Sequence, residues 1–173
     1  MLPPQALGEI INRQSIAHDV RPDIVACIIA QESGKTINGA FVCDTFAWRW
    51  EEKFYADKLV GKKSNELAGW VPVSGTLPSL TDEKLQRSCS YGLMQVLGDT
   101  ARWCGKVTAP FLTVLCDPDR GIDVGCRVLS FYLGRAKGDY RAALKGYNGA
   151  WTYADEVLGR VARGEHLKFF KGS

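Results

Sequence analysis

The stretch PDIVACIIAQESG, from Pro22 to Gly34, decides the fold of this chain. Proline at the first helical position and the serine-glycine pair at the end predict a helix between them. The apolar residues recur at helical spacing and form one stripe that faces the core, made of Ile24, Val25, Ile28 and Ile29. Glu32 continues this stripe, so the sequence places a carboxyl group at the end of a core-facing helix surface.

The position of Glu32 allows two interpretations. Burial removes water from the charged form of a carboxyl group and raises its pKa, which suits a general acid that works near neutral pH. The alternative is a surface glutamate in the last turn of a helix, and this stretch alone favours that alternative. The rest of the chain decides between them.

The composition is that of an ordinary globular protein, and we assign residues 1–173 to one domain. With 46% hydrophobic and 24% charged residues, the composition predicts an ordered chain. The net charge of +3 is too small to predict nucleic-acid binding, and it does not oppose binding to an anionic bacterial cell wall. No apolar run approaches the roughly 20 residues of a membrane span, and the N-terminus predicts no signal peptide. We expect a monomer.

The six cysteines are many for a chain without an export signal. They lack the paired spacing of a zinc site, so the sequence does not predict one. Two lie on expected helix faces as small buried side chains. Two others lie in expected loops, where they could form a disulfide. Reduced thiols are the expectation. The first pair is Cys27 and Cys126, the second is Cys43 and Cys89, and the others are Cys104 and Cys116.

Helical periodicity covers most of the chain and predicts an all-α fold, because no alternating strand pattern of useful length is present. The expected helices are 5–17, 22–32, 46–59, 91–104, 110–115, 118–137, 140–148 and 152–161. The stretch 35–89 is largely turn-rich and predicts an irregular insert after the helix of Glu32. Its aromatic side chains form either a wall on which sugars stack or part of the packing: Trp48, Trp50, Phe54, Tyr55 and Trp70.

Three short motifs fall at expected helix termini: Gln31-Glu32-Ser33, then the stretch SYGLMQ from Ser90 to Gln95, then GYNG from Gly146 to Gly149. In this order they resemble the soluble lytic transglycosylase domain of the lysozyme-like superfamily, in glycoside hydrolase family 23. Each motif alone recurs by chance, but the ordered set is specific. The resemblance covers about 23–158.

The sequence departs from the family pattern between the first two motifs, where many members have a much shorter segment. Within this insert, AWRWEEKFY (47–55) resembles a segment of phage-encoded members and implies a viral or prophage origin. The protein would then be made in the host cytoplasm and act on the periplasmic wall, as an endolysin or as part of a virion.

The resemblance implies a lysozyme-like fold and a lytic transglycosylase whose partner is the glycan strand of peptidoglycan. Glu32 would act as the single acid and base, protonating the bond between N-acetylmuramic acid and N-acetylglucosamine and then taking the proton of the C6 hydroxyl. The product is a 1,6-anhydro sugar, and neither metal nor cofactor is needed. The hydroxyl of Tyr147 is expected to reach the Glu32 carboxyl. The substrate-binding set is Ser33, Tyr91, Met94, Gln95, Tyr147, Asn148 and Tyr153.

Structural roles compete with these assignments, since Ser33 would also end a helix, Tyr147 fill the core and Asn148 close a helix. Three other functions stay open. A goose-type lysozyme would hydrolyse the same bond with a second acid from the insert, at Asp44, Glu51 or Glu52. A silent wall-binding virion module would not use Glu32 at all. A cysteine hydrolase would pair Cys27 or Cys89 with His18.

Overall fold

The computed structural model describes residues 1–69 and 78–170. Its α-helices are α1 (Gly8–Ala17), α2 (Pro22–Glu32), α3 (Glu52–Phe54), α4 (Leu80–Arg87), α5 (Gly98–Trp103), α6 (Pro118–Arg135), α7 (Tyr140–Asn148), α8 (Trp151–Ala162) and α9 (Leu167–Phe170). Its strands are β1 (Gly34–Ile37), β2 (Ala40–Cys43), β3 (Trp48–Trp50), β4 (Cys89–Tyr91) and β5 (Val96–Leu97). Short 3₁₀ turns cover Pro4–Leu7, Ser64–Glu66 and Leu112–Cys116, and a π-helical turn covers Tyr55–Leu59.

The helix α2 lies at the centre of the hydrophobic core, as its sequence predicts. Every residue from Ile24 to Ala30 is buried, so the helix is covered on all sides and not along one stripe. It packs against α1 and α8. Each large aliphatic side chain buried in this way stabilises the fold by about 1.5–3 kcal/mol. The core therefore fixes the position of the helix end that carries Glu32.

The expectation of an all-α fold is only approximately correct, because two small antiparallel sheets lie between α2 and α5. Strands β1 and β2 form a hairpin that starts directly after α2, with Gly34 opposite Cys43. Strands β3, β4 and β5 form a second sheet in that order. The insert therefore has regular structure of its own, and β3 lies in the segment expected to be helical.

The helix predicted over 91–104 is wrong in its first half. Tyr91 ends strand β4, a turn follows, and the helix α5 begins only at Gly98. The backbone of Gly92 (φ 67°) and Gln95 (φ 46°) is left-handed, which a helix cannot accommodate. A Cβ atom at Gly92 would lie 2.1 Å from the Leu115 carbonyl oxygen, so only glycine fits there.

The C-terminal helices follow their sequence signals. Asp117 caps α6 with its side chain, and Asp139 caps α7 in the same way. Gly149 ends α7 in the left-handed conformation (φ 101°). The predicted bounds of α6, α7 and α8 are confirmed within two residues, and the largest difference is the end of α6 at Arg135 instead of 137. The tail adds α9, whose Phe169 is buried.

A buried ionic network joins α4 to α5. The Glu83 carboxylate accepts hydrogen bonds from Arg87 and from Arg102, and all three side chains are at most 2% exposed. Arg87 also donates to the carbonyl oxygen of Ala68, which attaches the insert to the helical body. Buried charges of this kind are tolerated only when they are paired and hydrogen-bonded.

Within residues 1–69 and 78–170, no helix is long and apolar enough to cross a membrane. All six cysteines lie in these ranges and are free thiols. Trp70, one of the five aromatic residues named for a stacking wall, lies outside the described residues.

Candidate active site

A cleft of about 250 Å³ opens at the C-terminal end of α2. Four of the side chains predicted from sequence meet in it, and they come from all three motifs: Glu32, Gln95, Tyr147 and Asn148. Two further lining residues, Phe54 and Glu51, were named from the sequence as a stacking aromatic and a candidate second acid, and the remaining ones were not named for the site: Arg49, Ser90, Val96, Leu97, Thr100 and Val128. The cleft therefore lies where the ends of α2 and α7 meet the three-stranded sheet.

Glu32 is partly buried, and its pKa is raised. Burial is the largest cause, because it penalises the charged form, and the neighbouring carboxylate of Glu51 acts in the same direction. The Tyr153 hydroxyl and the Arg49 guanidinium oppose the shift, since both stabilise the carboxylate. The acid form of Glu32 therefore persists to higher pH than that of an exposed glutamate, which a proton donor requires.

The tyrosine next to the Glu32 carboxyl is Tyr153, and the expected bond from Tyr147 to Glu32 is wrong. The Tyr147 hydroxyl donates instead to the Met94 carbonyl oxygen at 2.8 Å. The Tyr153 hydroxyl is buried and makes no hydrogen bond of regular geometry within the described residues, yet it acts on the pKa of Glu32 as a donor. It is thus directed at the carboxyl without being engaged elsewhere.

Gln95 holds the turn of the second motif together. Its Nε2 donates to the carbonyl oxygens of Ala47 and Gly92, both at 3.0 Å. These bonds fix the turn between β4 and β5 and tie it to the chain that enters β3. The amide oxygen is the part of the side chain left to accept a hydrogen bond from a ligand in the cleft.

Strand alternation explains why the insert contributes to the cleft. On β3 and β4, Arg49 lies opposite Ser90 and both line the cleft. Their neighbours Trp48 and Tyr91 pair on the other face and line a separate apolar groove. Glu51, next along the chain, accepts from Arg49 Nε at 2.6 Å and from Ser90 Oγ at 3.1 Å. The cleft thus contains a second carboxylate that is held in place by two donors.

Four members of the predicted substrate-binding set do not line the cleft: Tyr153, which lies beside the Glu32 carboxyl, and three side chains that are turned away from it. Ser33 is 2% exposed and donates to the Ile29 carbonyl oxygen of its own helix, so it ends α2. Met94 is fully buried. The Tyr91 hydroxyl donates to the Gln86 carbonyl oxygen on the far side of the sheet. These side chains support the cleft from behind, because burial or strand alternation turns them away from it.

The described aromatic residues of the insert do not form one wall. Phe54 lines the cleft, whereas Trp48 lines the opposite groove. The rings of Trp50 and Tyr55 pack against each other with centroids 5.3 Å apart. Of the five aromatic residues named for a stacking wall, four are described, and only Phe54 among these four lines the cleft.

The residues named for competing functions are placed as follows. Of the three candidate second acids, only Glu51 lines the cleft. Asp44 is paired instead with Lys35 at 2.8 Å. Cys27 is fully buried, and burial raises the pKa of its thiol to about 11. His18 is hydrogen-bonded to Asp123 at 2.6 Å. A nucleophilic cysteine activated by this histidine has no support in these contacts.

The described residues contain no cluster of three or more histidine, cysteine or acidic side chains arranged to hold a metal ion.

The signals that sequence reasoning missed are short ones. Arg49 and Ser90 become cleft residues through a three-residue strand pair, whose pattern is too brief to recognise in a sequence.

A helical body with a partly buried acid in an open cleft is typical of lysozyme-like proteins that cleave glycan strands. The chain belongs to the SLT family of transglycosylases: the family described as "Transglycosylase SLT domain" matches residues 73–166, more than half of the 173. Its members are lytic transglycosylases that act on peptidoglycan. The match includes the second and third motifs and begins after Glu32. No curated protein and no solved structure gives a match to the chain.

Proposed function

We propose that this protein is a peptidoglycan lytic transglycosylase in which Glu32 is the single acid and base. It cleaves the β-1,4 bond between N-acetylmuramic acid and N-acetylglucosamine and leaves a 1,6-anhydro end. The observation that carries the proposal is the partly buried Glu32 carboxyl, with a raised pKa, in the cleft that the three motifs form together. Membership of the SLT family supports the reaction class.

The proton of Glu32 is transferred to the glycosidic oxygen as the bond to C1 of the muramic acid breaks. The 2-acetamido group of the same sugar stabilises the positive charge at C1, so no protein carboxylate is required as nucleophile. The ionised Glu32 then accepts the proton of the C6 hydroxyl while the C6 oxygen of the sugar bonds to C1. Glu32 returns to its acid form, and no water is consumed.

The neighbours of Glu32 support this cycle. The Tyr153 hydroxyl is available to stabilise the carboxylate that forms after proton transfer, because it lacks another partner in the described chain. The Gln95 amide oxygen and Asn148 provide polar groups for the acetamido and hydroxyl groups of the sugars. Phe54 provides the one aromatic surface from the described insert.

The test is the variant Glu32→Gln, which keeps the shape of the side chain but has no acidic proton. We expect release of soluble fragments from purified peptidoglycan to fall at least about 100-fold, as for loss of a general acid. Glu9→Gln, at an exposed glutamate of α1, should retain activity. Unchanged lysis by Glu32→Gln would contradict the proposal, because cleavage would then not depend on this acid. Absence of lysis by the parent protein would favour a module that only binds the wall.

The resemblance of 47–55 to phage-encoded members supports a phage or prophage origin. We propose that the protein acts on the periplasmic wall of the host, either in lysis or as part of a virion. Three residues of this segment, Arg49, Glu51 and Phe54, line the cleft. The segment therefore contributes to the site as well as to the resemblance.

One observation favours hydrolysis as a second candidate function. Glu51 lines the same cleft as Glu32 and is held by Arg49 and Ser90, as a base that activates water would be. In that case, the products carry a reducing end and are heavier by one water than anhydro products. Mass spectrometry of digested peptidoglycan distinguishes the two.

The variant Glu51→Gln refines this comparison, with Glu52→Gln as the control at the adjacent exposed residue. A hydrolase loses activity when Glu51 loses its charge. A transglycosylase continues to form anhydro ends, since its base is Glu32. Reducing-end products from the unmodified protein, lost in Glu51→Gln, would replace the transglycosylase proposal with hydrolysis.

A further inference from the structure

Another groove, of about 450 Å³ and separate from the apolar groove lined by Trp48 and Tyr91, lies next to the cleft. Three of its lining residues lie next to cleft residues on the same helices. Trp103 lies one turn after Thr100 on α5, Phe131 one turn after Val128 on α6, and Gly146 just before Tyr147 on α7. Because one helical turn rises about 5.4 Å, the groove continues the cleft by about the length of one sugar ring or one dipeptide unit.

The floor of this groove is a fixed aromatic cluster. The rings of Trp103 and Phe131 meet edge to face with centroids 5.2 Å apart, and Phe131 meets Tyr132 in the same way at 5.3 Å. Tyr132 also packs on Gly146, where a Cβ atom would come within 2.6 Å of the ring. The rings are half-buried, so the floor is preformed and still open to a ligand.

Two exposed cations border the aromatic floor. The Arg135 guanidinium lies over the Phe131 ring at 5.7 Å from its centroid, and Lys145 extends from α7. Within residues 1–69 and 78–170, neither cation forms a salt bridge, and no carboxylate lines the groove. By contrast, Arg141 on the same helix as Lys145 is paired with Asp155. Two unpaired cations beside an apolar floor fit an anionic ligand that also has apolar groups.

We propose that this groove binds the peptide stem of peptidoglycan, with the stem carboxylates on Arg135 and Lys145 and its methyl groups on the aromatic floor. The inference rests on the proposed function, because it assumes that a muramic acid lies in the cleft beside Glu32. The stem is attached to the lactyl group of that sugar and reaches a groove one helical turn away. A neutral sugar unit would leave both cations without a counter-charge.

The test is binding to two forms of insoluble glycan, measured by co-sedimentation. One is peptidoglycan with intact stems and free of phosphate-containing wall polymers, and the other is the same material after an amidase has removed the stems. The tested variant is Arg135→Gln/Lys145→Gln. The control is Lys58→Gln/Lys137→Gln, which removes the same charge from two exposed lysines that line neither the groove nor the cleft. All proteins also carry Glu32→Gln, so that the glycan is not digested.

We expect the parent protein to bind the stem-bearing material more tightly. The groove variant should lose about 5- to 10-fold in affinity for it, as two exposed ion pairs give together. Its affinity for the stripped glycan should not change, and the control should behave as the parent. The difference should shrink at high salt, because exposed charges are screened.

An equal loss on both materials overturns the proposal, since the cations would then contact the glycan or its lactyl carboxylate. No loss on either material, or the same loss in the control, overturns it as well. So does binding that appears only when phosphate-containing polymers are left on the wall. None of these results depends on cleavage. Failure of the proposed function would appear separately, as the absence of anhydro products from the active protein.

Discussion

Replacing Glu83 by glutamine should destabilise the protein strongly, although Glu83 does not line the cleft. Its two carboxylate oxygens accept three hydrogen bonds of 2.8 Å, one from Arg87 and two from Arg102, and its side chain is fully buried. In Glu83→Gln, a neutral amide faces two buried guanidinium groups. Asp99, which pairs with Arg87 at 2.7 Å, is then the only carboxylate described in contact with them.

The expected cost follows from the burial of this network. Removing one partner of a buried ion pair costs about 3–5 kcal/mol, because the remaining charge has no compensation. For a chain of this length, 1 kcal/mol corresponds to about 2–4 °C in Tm, so the melting temperature should fall by roughly 6–20 °C. The free energy of unfolding is measured in urea by circular dichroism, and Tm by calorimetry.

The control is an ion pair of the same shape at the surface. Arg141 binds Asp155 through two hydrogen bonds of 2.6 and 2.9 Å, and both side chains are at least half exposed. Asp155→Asn should leave the free energy of unfolding nearly unchanged, because solvent screens an exposed pair and its net contribution is small. If Glu83→Gln and Asp155→Asn lowered the free energy of unfolding by the same amount, the argument from burial would be refuted.

A network of this kind can often be replaced by apolar residues without loss, but here we expect otherwise. Arg102 also donates to the carbonyl oxygens of Val107, Ala109 and Pro110. A double replacement, Glu83→Leu/Arg102→Met, removes one pair of charges, leaves these carbonyl groups without their donor and keeps the buried Arg87 charge. Arg87 would then remain buried without its Glu83 partner, so the double variant should remain less stable than the parent.

Two further predictions concern the site and its packing. Tyr153→Phe removes a donor that stabilises the Glu32 carboxylate, so the pKa of Glu32 should rise. The alkaline limb of the pH–rate profile should then move to higher pH. The control Tyr147→Phe should leave that limb in place, because the Tyr147 hydroxyl bonds to the Met94 carbonyl oxygen and not to Glu32. Gly125→Ala should lower the free energy of unfolding, measured by urea denaturation, by about 1–3 kcal/mol, because the new Cβ would lie 2.3 Å from the buried Met94 sulfur. The control Gly134→Ala, on the same helix, meets open space and should be neutral or stabilising.

The sequence predicts the helical part of the fold well because its helix signals are local. Pro22 and Pro118 start their helices, Asp139 caps the next one, and Gly149 ends it, each within a few residues of the pattern it limits. The strands were not predicted. The hairpin β1–β2 has a signal in Asn38-Gly39, both with positive φ as a two-residue hairpin turn requires, and the sequence analysis missed it.

The site was predicted in part, for a related reason. The sequence brings Glu32, Gln95 and Tyr147 together in one cleft because their motifs are local and ordered. Arg49 and Glu51 enter the cleft only through the pairing of β3 with β4, between segments about forty residues apart in the chain. The exchange of Tyr147 for Tyr153 beside the carboxyl also depends on tertiary geometry, since the two tyrosines lie on different helices.

The insert changes the surroundings of Glu32 more than it changes the acid itself. Arg49 lowers the pKa of Glu32 and Glu51 raises it, and these two side chains are paired with each other at 2.6 Å. Because their charges oppose one another at the same edge of the cleft, their influences on Glu32 act against each other. Burial at the end of α2 remains the largest cause of the raised pKa. The raised pKa of Glu32 therefore originates in the core helix, whereas the insert contributes charged and aromatic side chains to the cleft.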